Sequence, residues 1–163
     1  MSDRSFIKDI PLGSEDATRD FATVLSPQLR AGDTLLLDGP VGAGKSFLAR
    51  AIIQSRLARL GRSEDVPSPT FTLVQTYDLD AVELWHCDLY RLSDPAEAAE
   101  LGLEEAFEQA ICLIEWPDRL GSMTPPGALR IELRPDPRDA ANPDARLATF
   151  SGPPDWARRL ETL

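Results

Sequence analysis

One short stretch constrains the fold of this chain more than any other feature. Residues 39–46 read GPVGAGKS and fit the pattern G-x-x-x-x-G-K-[ST] at every fixed position. They follow the apolar run TLLL (34–37) and precede the amphipathic segment KSFLARAIIQSRLARLG (45–61). A phosphate-binding loop needs this context, with a buried strand before it and a helix after it. The pattern therefore predicts a strand, a phosphate-binding loop and a helix.

The residue types of this loop suit phosphate. Glycines allow the backbone to curl until successive N–H groups point inward, and the helix that begins near Gly44 adds its positive end. Lys45 can reach the β- and γ-phosphates of a nucleotide, and the Ser46 hydroxyl can ligate Mg²⁺. The residues predicted to contact a nucleotide here are Gly39, Pro40, Val41, Gly42, Ala43, Gly44, Lys45, Ser46 and Phe47.

Strand and helix patterns alternate along the whole chain, 1–163. A helix capped by Ser14 should bury Ala17, Phe21, Val24 and Leu25 on one face. Further helical patterns lie at 93–109, with a break at Gly102, and at 153–163; apolar runs lie at 110–116, 128–133 and 145–150, and a hairpin is expected around 78–80. This order predicts a single α/β domain with a P-loop NTPase fold, in which helices flank a mixed, mostly parallel central sheet.

Two acidic residues are expected at the same edge of this sheet as the loop. Asp88 lies in LWHCDLY (84–90), and Glu115 follows four apolar residues in AICLIE (110–115). One helix of crossover length separates the two runs, so the strands should be parallel. Ligands bind beyond the carboxyl ends of parallel strands, so both acids should reach the loop. One acid would ligate Mg²⁺ and the other would orient water, and the sequence leaves open which does which.

Three neighbouring residues are harder to interpret. His86 projects from the same face of its strand as Asp88, and it suits a structural role and a site-lining role equally well. Trp116 and Tyr90 are interpreted as packing groups, although Trp116 follows Glu115 directly and could shield the γ-phosphate.

The segment VPSPTF (66–71) is a proline-pinned loop that carries Ser68 and Thr70 directly after the predicted P-loop helix. P-loop proteins often have a nucleotide-sensing switch at this position, and we predict one here. A rigid surface connection is the alternative.

Charge limits the possible partners. The net charge is -10, and only two lysines occur, Lys8 and Lys45. A broad nucleic-acid surface needs clustered basic residues, so phosphate should be bound by local geometry instead. No apolar run is long enough to span a membrane, and the N-terminus lacks a signal-peptide core. We therefore expect a cytoplasmic protein with reduced, buried thiols at Cys87 and Cys112.

Taken in order, four segments resemble the TsaE (YjeE) family of bacterial P-loop ATPases. They are LLLDGPVGAGKS (35–46), VPSPTFTLVQTY (66–77), HCDLYRL (86–92) and CLIEWPDRL (112–120). The resemblance covers roughly residues 14–120 and becomes weaker beyond them. It implies a protein of similar size with a mixed sheet, which binds ATP and Mg²⁺.

The resemblance also implies a biological role. The family serves the bacterial machinery that installs N6-threonylcarbamoyl on adenosine 37 of tRNAs that read codons beginning with A. It docks on the TsaB–TsaD pair, and its ATPase resets that complex between turnovers. Because no residue of this chain is an obvious built-in arginine finger, we expect hydrolysis to be slow alone and a partner to complete the site. Because the partners bind the tRNA, no direct tRNA binding is expected.

By the family's motifs, Lys45 and Ser46 carry phosphate and Mg²⁺, Asp88 and Glu115 carry metal binding and hydrolysis, and residues 68–71 form the switch. Thr18 matches a position near the nucleotide. Two residues depart from the family's pattern: Pro40 stands where the family often has an acid, and Ser46 replaces the commoner threonine.

Two other functions fit parts of the sequence. A small-molecule or nucleotide kinase would need an arginine-rich lid, for which the candidates are Arg130, Arg134, Arg138 and Arg146. Prolines and aspartates interrupt these arginines, as is typical of a solvated connection. A module that binds ATP without turnover is the second alternative, and the two strand-end acids argue against it. No N-K-x-D guanine signature occurs, which favours adenine.

Overall fold

The computed structural model describes residues 6–69 and 72–161. Its strands are β1 (Phe6–Leu12), β2 (Thr34–Asp38), β3 (Val74–Asp78), β4 (Glu83–Asp88), β5 (Ile111–Glu115), β6 (Leu129–Pro135) and β7 (Arg146–Gly152). Its α-helices are α1 (Glu15–Leu25), α2 (Lys45–Arg59), α3 (Pro95–Glu100), α4 (Leu103–Gln109) and α5 (Asp155–Arg159). Short 3₁₀ segments occupy Ser26–Gln28, Pro117–Met123 and Pro137–Asp139.

The strands form one seven-stranded sheet in the order β1-β7-β6-β2-β5-β4-β3. The four central neighbours β6, β2, β5 and β4 are parallel. β3 is antiparallel to β4, β7 is antiparallel to β6, and β1 is antiparallel to β7. Five of the seven strands (β1, β2, β4, β5 and β6) therefore run in one direction. The predicted α/β fold with a mixed, mostly parallel sheet is confirmed.

Apolar side chains cover both faces of the sheet. On the face of α1 and α2, Leu37 and Leu113 are fully buried in the larger core cluster. On the opposite face, Leu36 and Ile114 pack with residues of α3 and α4. Every residue of β5 is buried, as expected for a central parallel strand with helices on both sides.

Local signals set the helix boundaries as the sequence predicts. The Ser14 side chain accepts a hydrogen bond from the Ala17 N–H and begins α1. The Asp94 side chain accepts from the Ala96 N–H, with Pro95 in the first turn of α3. Gly102, at φ 84°, separates α3 from α4. These bonds satisfy backbone donors that a helix leaves unpaired at its start.

In the N-terminal part, one strand was not predicted and one expectation about α1 is wrong. Strand β1 has no counterpart in the sequence prediction, because Pro11 interrupts its apolar pattern; at the sheet edge, where β1 pairs with β7, a proline is tolerated. On α1, Val24 is 42% exposed, whereas Thr18 is buried. The buried face of this helix is therefore turned toward Thr18.

The hydrophobic interior has a testable consequence for the cysteines. Cys87 and Cys112 are free thiols, and both are fully buried, as predicted. Burial raises the pKa of Cys112 to about 12 and the pKa of Cys87 well above its ordinary value. Because the thiolate is the reactive form, an alkylating reagent at pH 8 should label neither cysteine in the folded protein and both in urea, as measured by mass spectrometry. Fast labelling of the folded protein would contradict this.

Within 6–69 and 72–161, no helix combines the length and the apolar character that crossing a membrane requires.

Candidate nucleotide-binding site

The glycine loop connects β2 to α2, and its backbone has the conformation for which glycine is suited. Gly39, Gly42 and Gly44 have φ values of 138°, 81° and 103°. A Cβ on Gly39 would lie 2.3 Å from the carbonyl oxygen of Leu133 in β6, so no other residue fits there. Gly42 and Gly44 have open space around them, so their positive φ alone favours glycine. Pro40 and Val41 form the exposed tip of the loop.

Lys45, the first residue of α2, is 6% exposed. Its ammonium group donates to the carbonyl of Gly39 and lies 3.6 Å from the centroid of the Trp116 ring. Burial lowers the pKa of Lys45, and the carboxylates of Glu115, Asp38 and Asp88 act in the opposite direction. The lysine is thus held at the centre of the site, near the acids predicted to act with it.

Glu115 ends β5 and is 2% exposed. The Ser46 hydroxyl donates to its Oε1 at 2.8 Å, and Nε2 of His86 lies at hydrogen-bond distance, 2.6 Å, from its Oε2. A buried carboxylate needs partners of this kind, and each oxygen has one. His86 is fully buried and lies beside Glu115. This contact is compatible with the structural role and with the site-lining role, so both interpretations of His86 stay open.

Asp88 ends β4 and stands opposite Glu115 in the register of the parallel pair. It is 7% exposed, and its Oδ1 accepts from the N–H of Tyr90 at 3.1 Å. The predicted parallel pairing and the common edge of the two acids are confirmed. Their division of labour stays a prediction.

The rings of Trp116 and Tyr90 pack on each other, with centroids 5.0 Å apart. They do so at the rim of the site, since Tyr90 is 52% exposed and Trp116 contacts Lys45. Trp116 has a left-handed backbone, with φ 58°. This conformation is rare for a residue other than glycine and marks the point where the chain leaves β5.

The donor set fits Mg²⁺. The Ser46 hydroxyl and the carboxylates of Glu115 and Asp88 lie at one sheet edge, and each would offer an oxygen atom to a metal ion. Mg²⁺ prefers oxygen ligands and is usually bound by one or two carboxylates together with substrate phosphates. These residues would therefore suit a Mg²⁺ ion shared with a nucleotide.

A cleft that is open to solvent adjoins the loop on the side of α1. Thr18 and Phe47, both predicted near a nucleotide, line it together with Ala43 and Gly44. The complete lining also includes Glu15, Leu133, Asp144 and Arg146. This cleft is next to the phosphate loop, where the nucleoside part of a nucleotide would extend.

The structure describes only part of the predicted switch. Ser68 is half-buried, and Thr70 and Phe71 lie outside the described residues. Val66, at the start of the loop, lines a second cleft with Phe47 and Arg50. The loop thus begins beside α2, and its role as a switch stays a prediction.

The four arginines considered for a kinase lid are bonded within the fold. Arg130 donates to Asp38, Arg134 to Glu132 and Thr149, and Arg138 to Asp136. Arg146 donates to backbone carbonyls of the glycine loop, a contact that the sequence analysis missed. The contact joins residues 103 and 104 positions apart, and no local sequence signal predicts it. The kinase alternative gains no support from these arginines.

This chain is similar to known proteins in sequence and in fold. The sequence model of TsaE, described as a threonylcarbamoyl adenosine biosynthesis protein, matches residues 12–142. The tRNA threonylcarbamoyladenosine biosynthesis protein TsaE of Rickettsia bellii is 39% identical over 123 residues, which are 76% of this chain and 83% of that protein. The protein of the same name from Bacillus subtilis is 33% identical over 137 residues, 83% of this chain and 80% of the relative.

The structural comparison covers nearly the whole chain. The crystal structure of Bacillus subtilis YdiB superimposes with a TM-score of 0.75 at 25% identity, covering 99% of this chain and 96% of the other. The fold and the sequence motifs therefore point to the same relatives. This chain belongs to the TsaE family of threonylcarbamoyl adenosine biosynthesis proteins.

Proposed function

We propose that this protein is a cytoplasmic, Mg²⁺-dependent ATPase required for the N6-threonylcarbamoyladenosine modification of tRNA adenosine 37. The hydrogen-bonded series His86–Glu115–Ser46 is the observation that carries the proposal. It places a buried carboxylate against the hydroxyl that P-loop proteins use to ligate Mg²⁺. Membership of the TsaE family supports the role in tRNA modification.

The binding step uses the loop and the adjoining cleft. The backbone amides of residues 42–46 and the ammonium group of Lys45 hold the phosphates. Lys45 exchanges its contact with the Gly39 carbonyl for a phosphate oxygen when the nucleotide enters. The cleft lined by Thr18 and Phe47 receives the nucleoside.

The chemical step uses the two strand-end acids. Ser46 and one acid would hold Mg²⁺, and the other acid orients the attacking water. When bound, Mg²⁺ would supply positive charge that neutralises the charge developing on the phosphates. His86 fixes the direction of the Glu115 carboxylate through Oε2, while Ser46 engages Oε1. Glu115 thereby acts from a fixed position, whichever of the two roles it has.

The partners are the TsaB and TsaD proteins. Hydrolysis resets the TsaB–TsaD complex, and the partners complete a site that turns over slowly alone. The net charge of -10 disfavours direct binding of tRNA, which the partner complex binds instead. A tRNA titration at physiological salt that gave a submicromolar Kd would contradict this assignment.

Phosphate release with and without TsaB–TsaD tests the proposal. We expect slow release by the protein alone and a stimulation on the order of tenfold or more by the complex, since supplying a missing catalytic group in trans raises NTPase rates strongly. In the Glu115→Ala variant, both rates of phosphate release should fall by a factor on the order of a hundred or more. Absence of hydrolysis in the wild type under both conditions would instead indicate a module that only holds ATP. Transfer of phosphate to an acceptor without release would indicate a kinase.

A further inference from the structure

The first residue of β7 contacts the glycine loop directly. Arg146 is half-buried, and its Nε and Nη2 donate to the carbonyls of Ala43 and Gly42 at 3.0 and 3.1 Å. Its Nη1 donates to the carbonyls of Pro143 and Ala145 at 2.6 and 3.2 Å. One guanidinium group therefore joins the loop to the chain segment that leads into β7.

These bonds orient the peptide units of the loop. In a trans peptide the C=O and the N–H point in opposite directions. The bonds of Arg146 to the Gly42 and Ala43 carbonyls therefore direct the N–H groups of Ala43 and Gly44 away from the arginine. The Ala43 N–H closes a turn onto the Pro40 carbonyl, and the Gly44 N–H belongs to the set proposed to bind phosphate.

Arg146 also brings positive charge to the loop. Among the described residues, no carboxylate lies within ion-pair distance of its guanidinium, although the chain as a whole is strongly acidic. The side chain lines the cleft that holds Thr18 and Phe47. Hydrogen bonds from a charged donor are stronger than those between neutral groups, so this contact can fix the loop.

We infer that Arg146 is a positioning residue for nucleotide binding: it holds the glycine loop in its phosphate-binding shape from outside the loop. The inference rests on the proposed function and extends it to a residue beyond the family match, which ends at residue 142. Arg146 acts through the carbonyls of Gly42 and Ala43 and need not contact the nucleotide.

Nucleotide affinity of the full-length Arg146→Ala variant tests the inference. Isothermal titration with Mg·ATP should give a Kd on the order of tenfold weaker than that of the wild type, because charge-assisted bonds that shape the loop are lost. Without nucleotide, the amide NMR signals of Gly42 and Gly44 should shift. The Arg146→Lys variant keeps the charge but not the forked geometry and should stay several-fold weaker than the wild type.

Arg134→Ala is the matched control. Arg134 lies on the neighbouring strand β6, and its bonds are to Glu132 and Thr149, so its loss should leave the Kd within about twofold. A wild type that does not bind Mg·ATP would overturn the proposed function itself. A wild type that binds, together with an unchanged Kd in Arg146→Ala or full affinity in Arg146→Lys, would overturn only the role of Arg146. If Arg146→Ala does not fold, the ATP affinity of Arg146→Lys and the amide NMR signals of its Gly42 and Gly44 test the role of Arg146 instead.

Discussion

Replacing Lys45 with alanine is expected to abolish the binding of ATP. The lysine is buried at the start of α2, and it is the only lysine in the predicted site. Two bonds from its ammonium group to phosphate oxygens would contribute about 1.5–3 kcal/mol each, so the Kd should rise by a factor on the order of a hundred or more. Isothermal titration with Mg·ATP, or displacement of a fluorescent ADP analogue, measures the effect.

Lys8, the second lysine of the chain, provides a control variant that loses the same positive charge outside the predicted site. Lys8 lies on the edge strand β1, at the opposite end of the sheet order from β4 and β3. Lys8→Ala should bind ATP with wild-type affinity, and circular dichroism should show that both variants are folded. Tight ATP binding by folded Lys45→Ala would refute the assignment of residues 39–46 as the phosphate loop.

Replacing Glu115 with alanine is expected to separate binding from hydrolysis. In the proposed function the loop and Lys45 hold the phosphates, so ATP should still bind. Turnover should fall by a factor on the order of a hundred or more, because positioned acid–base groups typically contribute that much. Single-turnover phosphate release in the presence of TsaB–TsaD measures the chemical step, and unchanged turnover would remove Glu115 from the mechanism.

The conservative variant Glu115→Gln controls for damage to the fold. Alanine leaves the Ser46 hydroxyl and the buried Nε2 of His86 without their partner, and an unsatisfied buried polar group costs about 1–3 kcal/mol. Glutamine keeps the shape and an acceptor for Ser46 but removes the charge. If glutamine restores stability but not turnover, the charge of Glu115 is required for hydrolysis. Comparison with Asp88→Asn, as a function of Mg²⁺ concentration, then shows which acid ligates the metal.

The sequence was sufficient to predict the centre of the fold because its signals are local. The loop glycines, the buried run before them and the helical pattern after them define β2 and α2. Glu115 could be placed beside the loop because β5 is apolar until its last residue and parallel strands share one edge. The break at Gly102 and the caps of α1 and α3 depend on single residues and their immediate neighbours.

The features that the sequence did not predict depend on distant contacts. β1 forms by pairing with the edge of β7. Pro11 interrupts the apolar pattern of residues 6–12, so the sequence alone does not indicate a strand there. The pairing of His86 with Glu115 depends on the register of β4 and β5, which no motif encodes. Arg146 was considered for a kinase lid only because it is one of four arginines in the C-terminal part of the chain. The position of β7 in the folded sheet brings it to the glycine loop instead.

The packing of Gly39 against Leu133 has a consequence for whether the N-terminal part of the chain can fold without β6. The four segments that resemble the family lie within residues 14–120, whereas the family match extends to residue 142 and the residues that pack against the glycine loop come from β6 and β7. A fragment cut after residue 120 would keep those four segments but would lose both strands and expose the edge of β2. Residues 14–120 are therefore not an independent folding unit. If they were transferred to another protein, that protein would have to replace β6 and β7.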